Sequence, residues 1–285
     1  MLELSKYKSE VRPDWCPGCG DFGVLNALVQ AVANLEIDPK DLFIVSGIGC
    51  SSNLPGFIHA YGFHSLHGRA MPIATGARLA NPDLNVVVTG GDGDGYGIGL
   101  GHFVHAMRRN LDITYIVMDN EVYGLTTGQA SPTSQTGFAT KSSPMGTIEQ
   151  PINPIALALV SGATYVSRGF SGDPKHLTEL IQNGIKHKGF ALVDVFSPCV
   201  TWNKIETYDY FRQKCYKING TDYNTSSLDQ AIVKSREWDP KIPIGLFYEA
   251  QRPTYEEQDP ALKLGNPVKS PLGVSDPAAL FKEFV

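Results

Sequence analysis

Helix-like and strand-like patterns of apolar and polar residues alternate along most of the chain. Val24, Leu25, Leu28, Val29, Val32 and Ala33 recur at intervals of three and four, which predicts an amphipathic helix with Asp21 placed to cap its start. The apolar run 42–45, closed by Ser46-Gly47, reads as a strand, and 85–89, closed by Gly90-Gly91, as another. Between them, 70–80 predicts a helix stopped by Asn81-Pro82. The alternation continues with helices over 99–109, 154–162 and 174–187 and strands over 113–118, 163–166 and 190–196. Strands that are apolar throughout and separated by helices predict an α/β fold, a doubly wound, mostly parallel sheet with helices on both faces. From about Ser197 the alternation is expected to stop, and the proline-rich, weakly periodic stretch 240–271 reads as an irregular C-terminal arm. No repeat of about 20 to 50 residues is visible, which sets aside solenoids and propellers.

Composition narrows the class. The 285 residues are 42% hydrophobic, enough for a sizeable core. Lys+Arg 24 against Asp+Glu 29 gives a net charge of −5 with no basic block, so no nucleic-acid partner is expected. Apolar stretches such as 155–160 fall far short of the ~20 residues of a membrane span, and the first fifteen residues are too polar for a secretory signal. No membrane association and a cytoplasmic location are therefore expected. Five cysteines are too few, and odd in number, for a secreted disulfide framework, which directs attention to metal or catalytic roles for any that cluster.

The densest chemical signal is Gly90-Gly91-Asp92-Gly93-Asp94-Gly95-Tyr96-Gly97, between a predicted strand and a predicted helix. Doubly wound sheets hold ligands at the carboxyl ends of their strands. Glycines there let backbone approach a phosphate, and a following helix offers unpaired N–H groups. Two aspartates would repel a bare phosphate, so a hard divalent ion such as Mg²⁺, bridging carboxylate and phosphate, fits better than direct contact. Neither G-x-G-x-x-G nor a Walker sequence is present, and a merely flexible Gly-rich turn is the plain alternative.

The next strand leads into Asp119-Asn120-Glu121-Val122-Tyr123-Gly124. Gly91-Asp92-Gly93, then 26 residues, then Asn120 resembles the thiamine diphosphate signature, with Glu121 standing where the general signature has a second Asn. This version of the motif is similar to that of the 2-oxoacid:ferredoxin oxidoreductases. The resemblance implies a thiamine diphosphate-binding fold of the diphosphate-binding type. It also implies that Asp92, the Asn120 side chain and the Val122 carbonyl hold Mg²⁺, while Gly93, Asp94, Gly124 and Leu125 line the diphosphate.

Trp15-Cys16-Pro17-Gly18-Cys19 admits several readings from its residues alone. A thioredoxin-type pair needs a preceding strand that Arg12-Pro13-Asp14 does not provide. A zinc knuckle needs two local pairs, whereas Cys50, Cys199 and Cys215 are dispersed, and two unligated thiols in a turn remain open. An iron–sulfur cluster can draw ligands from separate loops, and Cys50 and Cys199 each follow a predicted strand. The beta subunits of the same family carry Trp-Cys-Pro-Gly-Cys-Gly, Gly-Ile-Gly-Cys-Ser and Ser-Pro-Cys segments in this order. The resemblance therefore implies a 4Fe–4S cluster on Cys16, Cys19, Cys50 and Cys199, with Cys215 left as a structural thiol.

His67-Gly68-Arg69 precedes the helix at 70–80. A loop histidine is commonly just solvated, but the family has this segment near its thiamine site, which implies a catalytic role for His67 ahead of Arg69. The same resemblance places Ile48, Gly49, Cys50 and Ser51 beside both cofactor and cluster; Asn53 is expected to face substrate, with a plain turn residue after Ser51-Ser52 as the alternative. The activity it implies is oxidative decarboxylation of a 2-oxoacid to acyl-CoA and CO2, with electrons leaving through the cluster to ferredoxin. No acid in the chain is marked to activate the aminopyrimidine ring. An alpha subunit, or a fused gamma-alpha chain, is expected to supply that Glu on a pyrimidine-binding domain. The expected organisation is a cluster-binding segment over 1–20, the thiamine domain over 21–230 and the arm over 231–285. A non-redox thiamine decarboxylase or synthase subunit, a pure electron-transfer subunit and a zinc-stabilised binding module are the alternatives.

Overall fold

The computed structural model describes residues 3–220, 222–270 and 276–282. An eight-stranded sheet organises the chain. In sequence its strands are β1 (Leu42–Ser46), β2 (Tyr61–His64), β3 (Asn85–Gly91), β4 (Thr114–Asp119), β7 (Tyr165–Phe170), β8 (Ala191–Phe196), β9 (Cys215–Lys217) and β10 (Ile242–Glu249). The short strands β5 (Val122–Tyr123) and β6 (Gln129–Ala130) form a separate antiparallel hairpin. The spatial order is β2-β1-β3-β4-β8-β7-β10-β9, and every pairing is parallel except β10 against β7.

Helices cover both faces, as the uninterrupted apolar strands require. Side chains alternate across the sheet: Val87, Ile116, Met118 and Val193 meet α1 (Asp21–Asn34) and α5 (Pro174–Lys186) on one side. Val86, Val88, Tyr115 and Val117 meet α2 (Ala70–Ala80), α3 (Leu100–Arg109) and α4 (Pro154–Val160) on the other. The α/β class and the mostly parallel sheet expected from the pattern are the observed ones.

Four local expectations are corrected. Asp21 is the first helical residue of α1, not its cap; its carboxylate is fully buried and accepts a hydrogen bond from Ser197 Oγ at 2.7 Å. Strand β7 starts and ends later than its apolar run, because the buried Ser167 and Arg168 carry it on to Phe170. Nor does regular structure end at Ser197: α6 (Tyr208–Lys214), β9, α7 (Leu228–Ser235) and β10 follow. Pro243 and Gly245 disguise β10, which is central enough to join β7 to β9 and lies inside the segment expected as an arm. Of that arm, 271–275 and 283–285 lie outside the described residues.

Candidate cofactor site and cysteine centre

The carboxyl ends of β1, β3, β4 and β8 open on the same edge of the sheet, and the loops that leave them carry the chemistry. Gly91, Asp92, Gly93 and Asp94 follow β3; Asn120 to Gly124 follow β4; Ile48 to Ser51 follow β1. Together with His67, Leu125, Tyr123 and Thr126 they line one cavity. Every residue expected at the thiamine cofactor is therefore in one wall. Asn53 is not: it lines a neighbouring cavity, and its amide donates to Asp14 at 3.3 Å.

Asp94 is the knot of the first cavity. Its Oδ1 accepts the Ile48 N–H at 2.9 Å, the Gly68 N–H at 2.7 Å and the His67 ring at 2.8 Å. One buried carboxylate thus fixes the loop after β1, the loop before α2 and the glycine-rich segment relative to each other. Gly47 is required beside it, since a Cβ there would stand 2.0 Å from Asp94 Oδ2. Gly93 is required for the same kind of reason, with Tyr123 Cε1 2.1 Å from where its Cβ would be.

Asp92 is held differently. It is 2% exposed, and its Oδ2 accepts from Ser131 Oγ and from Thr133 Oγ1, the latter at 2.6 Å. Thr133 Oγ1 also lies 2.8 Å from Asp119 Oδ1. A hydroxyl has one proton to give, so one of these carboxyls must return a proton to it. Burial pushes the pKa of both carboxyls up, with the neighbouring Asp92 adding to the rise at Asp119. Thr133 thus links Asp119 to Asp92 across the base of the site. Ser131 and Thr133 sit in an irregular loop without a periodic pattern, so sequence reasoning missed them; the Ser131-Pro132-Thr133-Ser134 run of hydroxyls was the available signal.

Glu121, where the general signature has Asn, sits at φ 56, a left-handed conformation that Asn adopts more readily than Glu. It is retained by its surroundings: Ser134 Oγ donates to its carbonyl at 2.6 Å and Gln135 Nε2 to its carboxyl at 3.3 Å. Asn120 keeps its turn with Oδ1 accepting from Val122 N at 3.1 Å.

Cys16, Cys19, Cys50 and Cys199 line the second cavity, of about 140 Å³, with Trp15 and Trp202. Three ties bring their loops together. Trp15 Nε1 donates to Cys50 O at 2.7 Å, Gly20 N donates to Pro198 O at 3.1 Å, and Ser197 Oγ reaches Asp21 at 2.7 Å. Gly20 has no room for a side chain, with Ser197 Oγ 2.5 Å from its missing Cβ. All five cysteines are free. Among the described residues no group of three or more His, Cys, Asp or Glu side chains is disposed to hold a metal ion, and the four thiols share a cavity without forming such a group. Burial raises the Cys50 thiol to about 11 and the Cys19 thiol further, with Asp21 adding to both. Thiols raised in this way are poor nucleophiles as they stand. Cys215 is elsewhere, half-buried against the Phe170, Phe196 and Phe211 cluster.

Residues 47–195 match the thiamine pyrophosphate enzyme C-terminal TPP-binding domain, and 199–264 match the C-terminal family of pyruvate ferredoxin oxidoreductase beta subunits. The 2-oxoacid:ferredoxin oxidoreductase subunit beta of Saccharolobus solfataricus is 51% identical over 86% of this chain and 85% of its own. The chain belongs to the 2-oxoacid:ferredoxin oxidoreductase beta subunits. Subunit beta of the Aeropyrum pernix 2-oxoacid:ferredoxin oxidoreductase 1 is 46% identical over 93% of this beta subunit and 88% of its own length. A solved structure of the Magnetococcus marinus 2-oxoglutarate:ferredoxin oxidoreductase, with 2-oxoglutarate, coenzyme A and succinyl-CoA bound, superposes with a TM-score of 0.92 at 44% identity. The match covers 99% of this chain and 96% of that one. Among the described residues no helix is long and apolar enough to cross a membrane.

Proposed function

We propose that this beta subunit holds the diphosphate half of a thiamine diphosphate site and a 4Fe–4S cluster, in a cytoplasmic enzyme that oxidatively decarboxylates a 2-oxoacid to acyl-CoA and CO2 and reduces ferredoxin. The observation that carries the reading is a shared wall: Cys50, Asn120, Gly124 and Leu125 line both the cofactor cavity and the cysteine cavity. Electron donor and acceptor then stand side by side.

The residues fit the groups. Asp92 is a buried carboxylate facing the cavity with hydroxyl partners and no cation, so burial pushes its pKa up; a divalent ion in front of it would reverse that cost. Asp92, Asn120 Oδ1 and the Val122 carbonyl are hard oxygen donors suited to Mg²⁺. Cys16, Cys19, Cys50 and Cys199 are four thiols on one cavity, the donor set of a 4Fe–4S cluster. When bound, thiamine diphosphate supplies the carbon nucleophile and electron sink for decarboxylation. Gly93, Gly124 and Leu125 would shape the diphosphate pocket, Asp94 would hold His67 toward its occupant, and the loop before α1 would screen the cluster. Of these, His67 is the residue proposed to touch the reacting groups. Asn53, beside Asp14 in the cysteine cavity, would contact substrate only from that side.

Both acids in the cofactor wall, Asp92 and Asp94, are taken up by hydrogen bonds, which supports an alpha subunit supplying the activating Glu. Residues 1–20 would then serve as the cluster-binding segment, and the chain beyond β10 as the arm against that partner. The deciding experiment is an anaerobic native mass spectrum of the protein purified from its own cells. A complex holding a second chain, thiamine diphosphate, Mg²⁺ and an iron–sulfur cluster is the expected result. Zinc on a lone chain would overturn the reading in favour of a binding module. A complex with thiamine but no iron would favour a non-redox decarboxylase or synthase.

A further inference from the structure

A third cavity, of about 270 Å³, adjoins the carboxyl end of β4 at Asp119 and does not include any residue of the cofactor cavity. That is far more than the roughly 15 Å³ that admits one water and just below the ~300 Å³ at which small-molecule pockets begin. Arg168, Arg236, Asp119, Gln135 and Trp238 are in its wall, with Ile152 and Pro154 as apolar surface.

Arg168 is 1% exposed. Its Nε donates to Asp194 Oδ2 at 2.8 Å, and its guanidinium lies 4.9 Å from the Phe196 ring centroid and 5.6 Å from that of Trp238. Its Nη1 is buried without any hydrogen-bond partner. An unsatisfied buried donor costs about 1–3 kcal/mol, more on a charged group, so an acceptor from outside the chain would be favoured there. Arg236 follows the last turn of α7, is exposed, and makes no ion pair among the described residues. The two guanidiniums therefore bracket the cavity, one buried and one exposed. Arg168 is ion-paired with Asp194, and Asp119 Oδ1 is engaged by Thr133 and the Glu121 N–H, so Arg236 is the guanidinium of this wall without an ionic partner among the described residues. Asn153 is likewise committed, donating to Ser235 O and accepting from Ala156 N.

We propose that this cavity binds a small organic carboxylate between Arg168 and Arg236. A planar carboxylate matches a guanidinium fork, and an organic body suits Trp238, Ile152 and Pro154, whereas a phosphate has no apolar part to bury against them. The site is also coupled to the cofactor cavity, because Thr133 lines this wall and bonds Asp92 in the other. A bound carboxylate would stiffen the loop that holds Asp92.

The test is binding, not turnover, so it stands or falls apart from the thiamine and cluster reading. Sodium succinate and sodium phosphate are titrated in turn into the purified complex, with sodium chloride at matched ionic strength as reference, and thermal melting and calorimetry are followed. Succinate is expected to give a saturable rise in Tm over chloride, and Arg236→Ala, an exposed change that leaves the fold intact, to weaken its Kd about tenfold. Absence of a saturable shift, or equal affinity in Arg236→Ala, overturns the proposal. Phosphate binding with the same dependence on Arg236 overturns the carboxylate assignment.

Discussion

His67 donates through Nδ1 to Asp94 Oδ1 at 2.8 Å, and the direction of that bond is set by the oxygen, which already accepts two backbone N–H groups. The ring is thereby fixed with Nε2 as the nitrogen left for whatever occupies the cavity. Asp94→Ala would strip acceptors from the Ile48 and Gly68 amides at once. Each orphaned buried donor costs on the order of 1–3 kcal/mol, so a loss of about 3 kcal/mol in unfolding free energy is expected. Urea unfolding of the variant checks it, and a midpoint equal to wild type would remove Asp94 from this role.

His67→Ala separates function from stability. The side chain is 40% exposed and bonds only at its inner nitrogen, so Tm should hold within a degree or two. Loss of a positioned imidazole is expected to lower kcat/KM about a hundredfold in 2-oxoacid-dependent viologen reduction by the assembled enzyme. An unchanged rate would make His67 a bystander.

How far this site could be read in the sequence depended on whether its residues were consecutive. Gly91-Asp92-Gly93, Asn120 and the cysteine segments are short motifs fixed to strand ends, and apolar strands fix the sheet edge they share. The hydroxyls of Ser131 and Thr133 were hidden because they act across 39 and 41 residues of chain from a loop with no period. Strand β10 was hidden for a different reason: Pro243 and Gly245 are poor strand residues locally, and only pairing with β7 and β9 makes the strand. Arg168 broke the apolar pattern of β7, yet it is buried through a partner, Asp194, on the next strand.

That buried pair yields a stability prediction independent of catalysis. Asp194 Oδ2 accepts from Arg168 and Oδ1 from Tyr96 at 2.9 Å, both without solvent. Removing the cation alone leaves a buried carboxylate uncompensated, so Arg168→Met should cost about 3–5 kcal/mol. Arg168→Met with Asp194→Leu should recover part of it. A single variant as stable as wild type in guanidinium unfolding would show that the pair contributes nothing.

His187 should give the fold an acid-sensitive component. Thr164 Oγ1 spends its proton on Asn110 Oδ1 at 2.7 Å, so His187 Nε2–H donates to Thr164 at 2.8 Å, and Nδ1 faces Glu249 Oε1 without a hydrogen bond. Burial lowers its pKa below 6.5, although Glu249, 3.5 Å away, pulls the other way. Below pH 6.5 the unfolded chain binds this proton and the folded chain resists it, so the contribution is complete above 6.5 and fades as pH falls. The urea midpoint should drop between about pH 7.5 and 5.5 less in His187→Gln than in wild type. Parallel drops would place the titration elsewhere.

The four cavity cysteines and Cys215 make an internal control for the proposed cluster. Cys199 follows the end of β8 and shares the cavity with Cys16, Cys19 and Cys50, whereas Cys215 opens β9 and packs among aromatic rings. Cys215 is set apart by position, since it lies outside the cavity that the other four line, and burial pushes its thiol up to about 12. Cys199→Ser exchanges a thiolate donor for a hydroxyl at nearly the same volume, which weakens iron binding with little change in packing. Anaerobic iron and sulfide analysis should therefore show loss of most of the cluster in Cys199→Ser and a full complement in Cys215→Ser, with both proteins folded by circular dichroism. Equal iron content in the two variants would mean that convergence of the thiols on one cavity does not make them ligands.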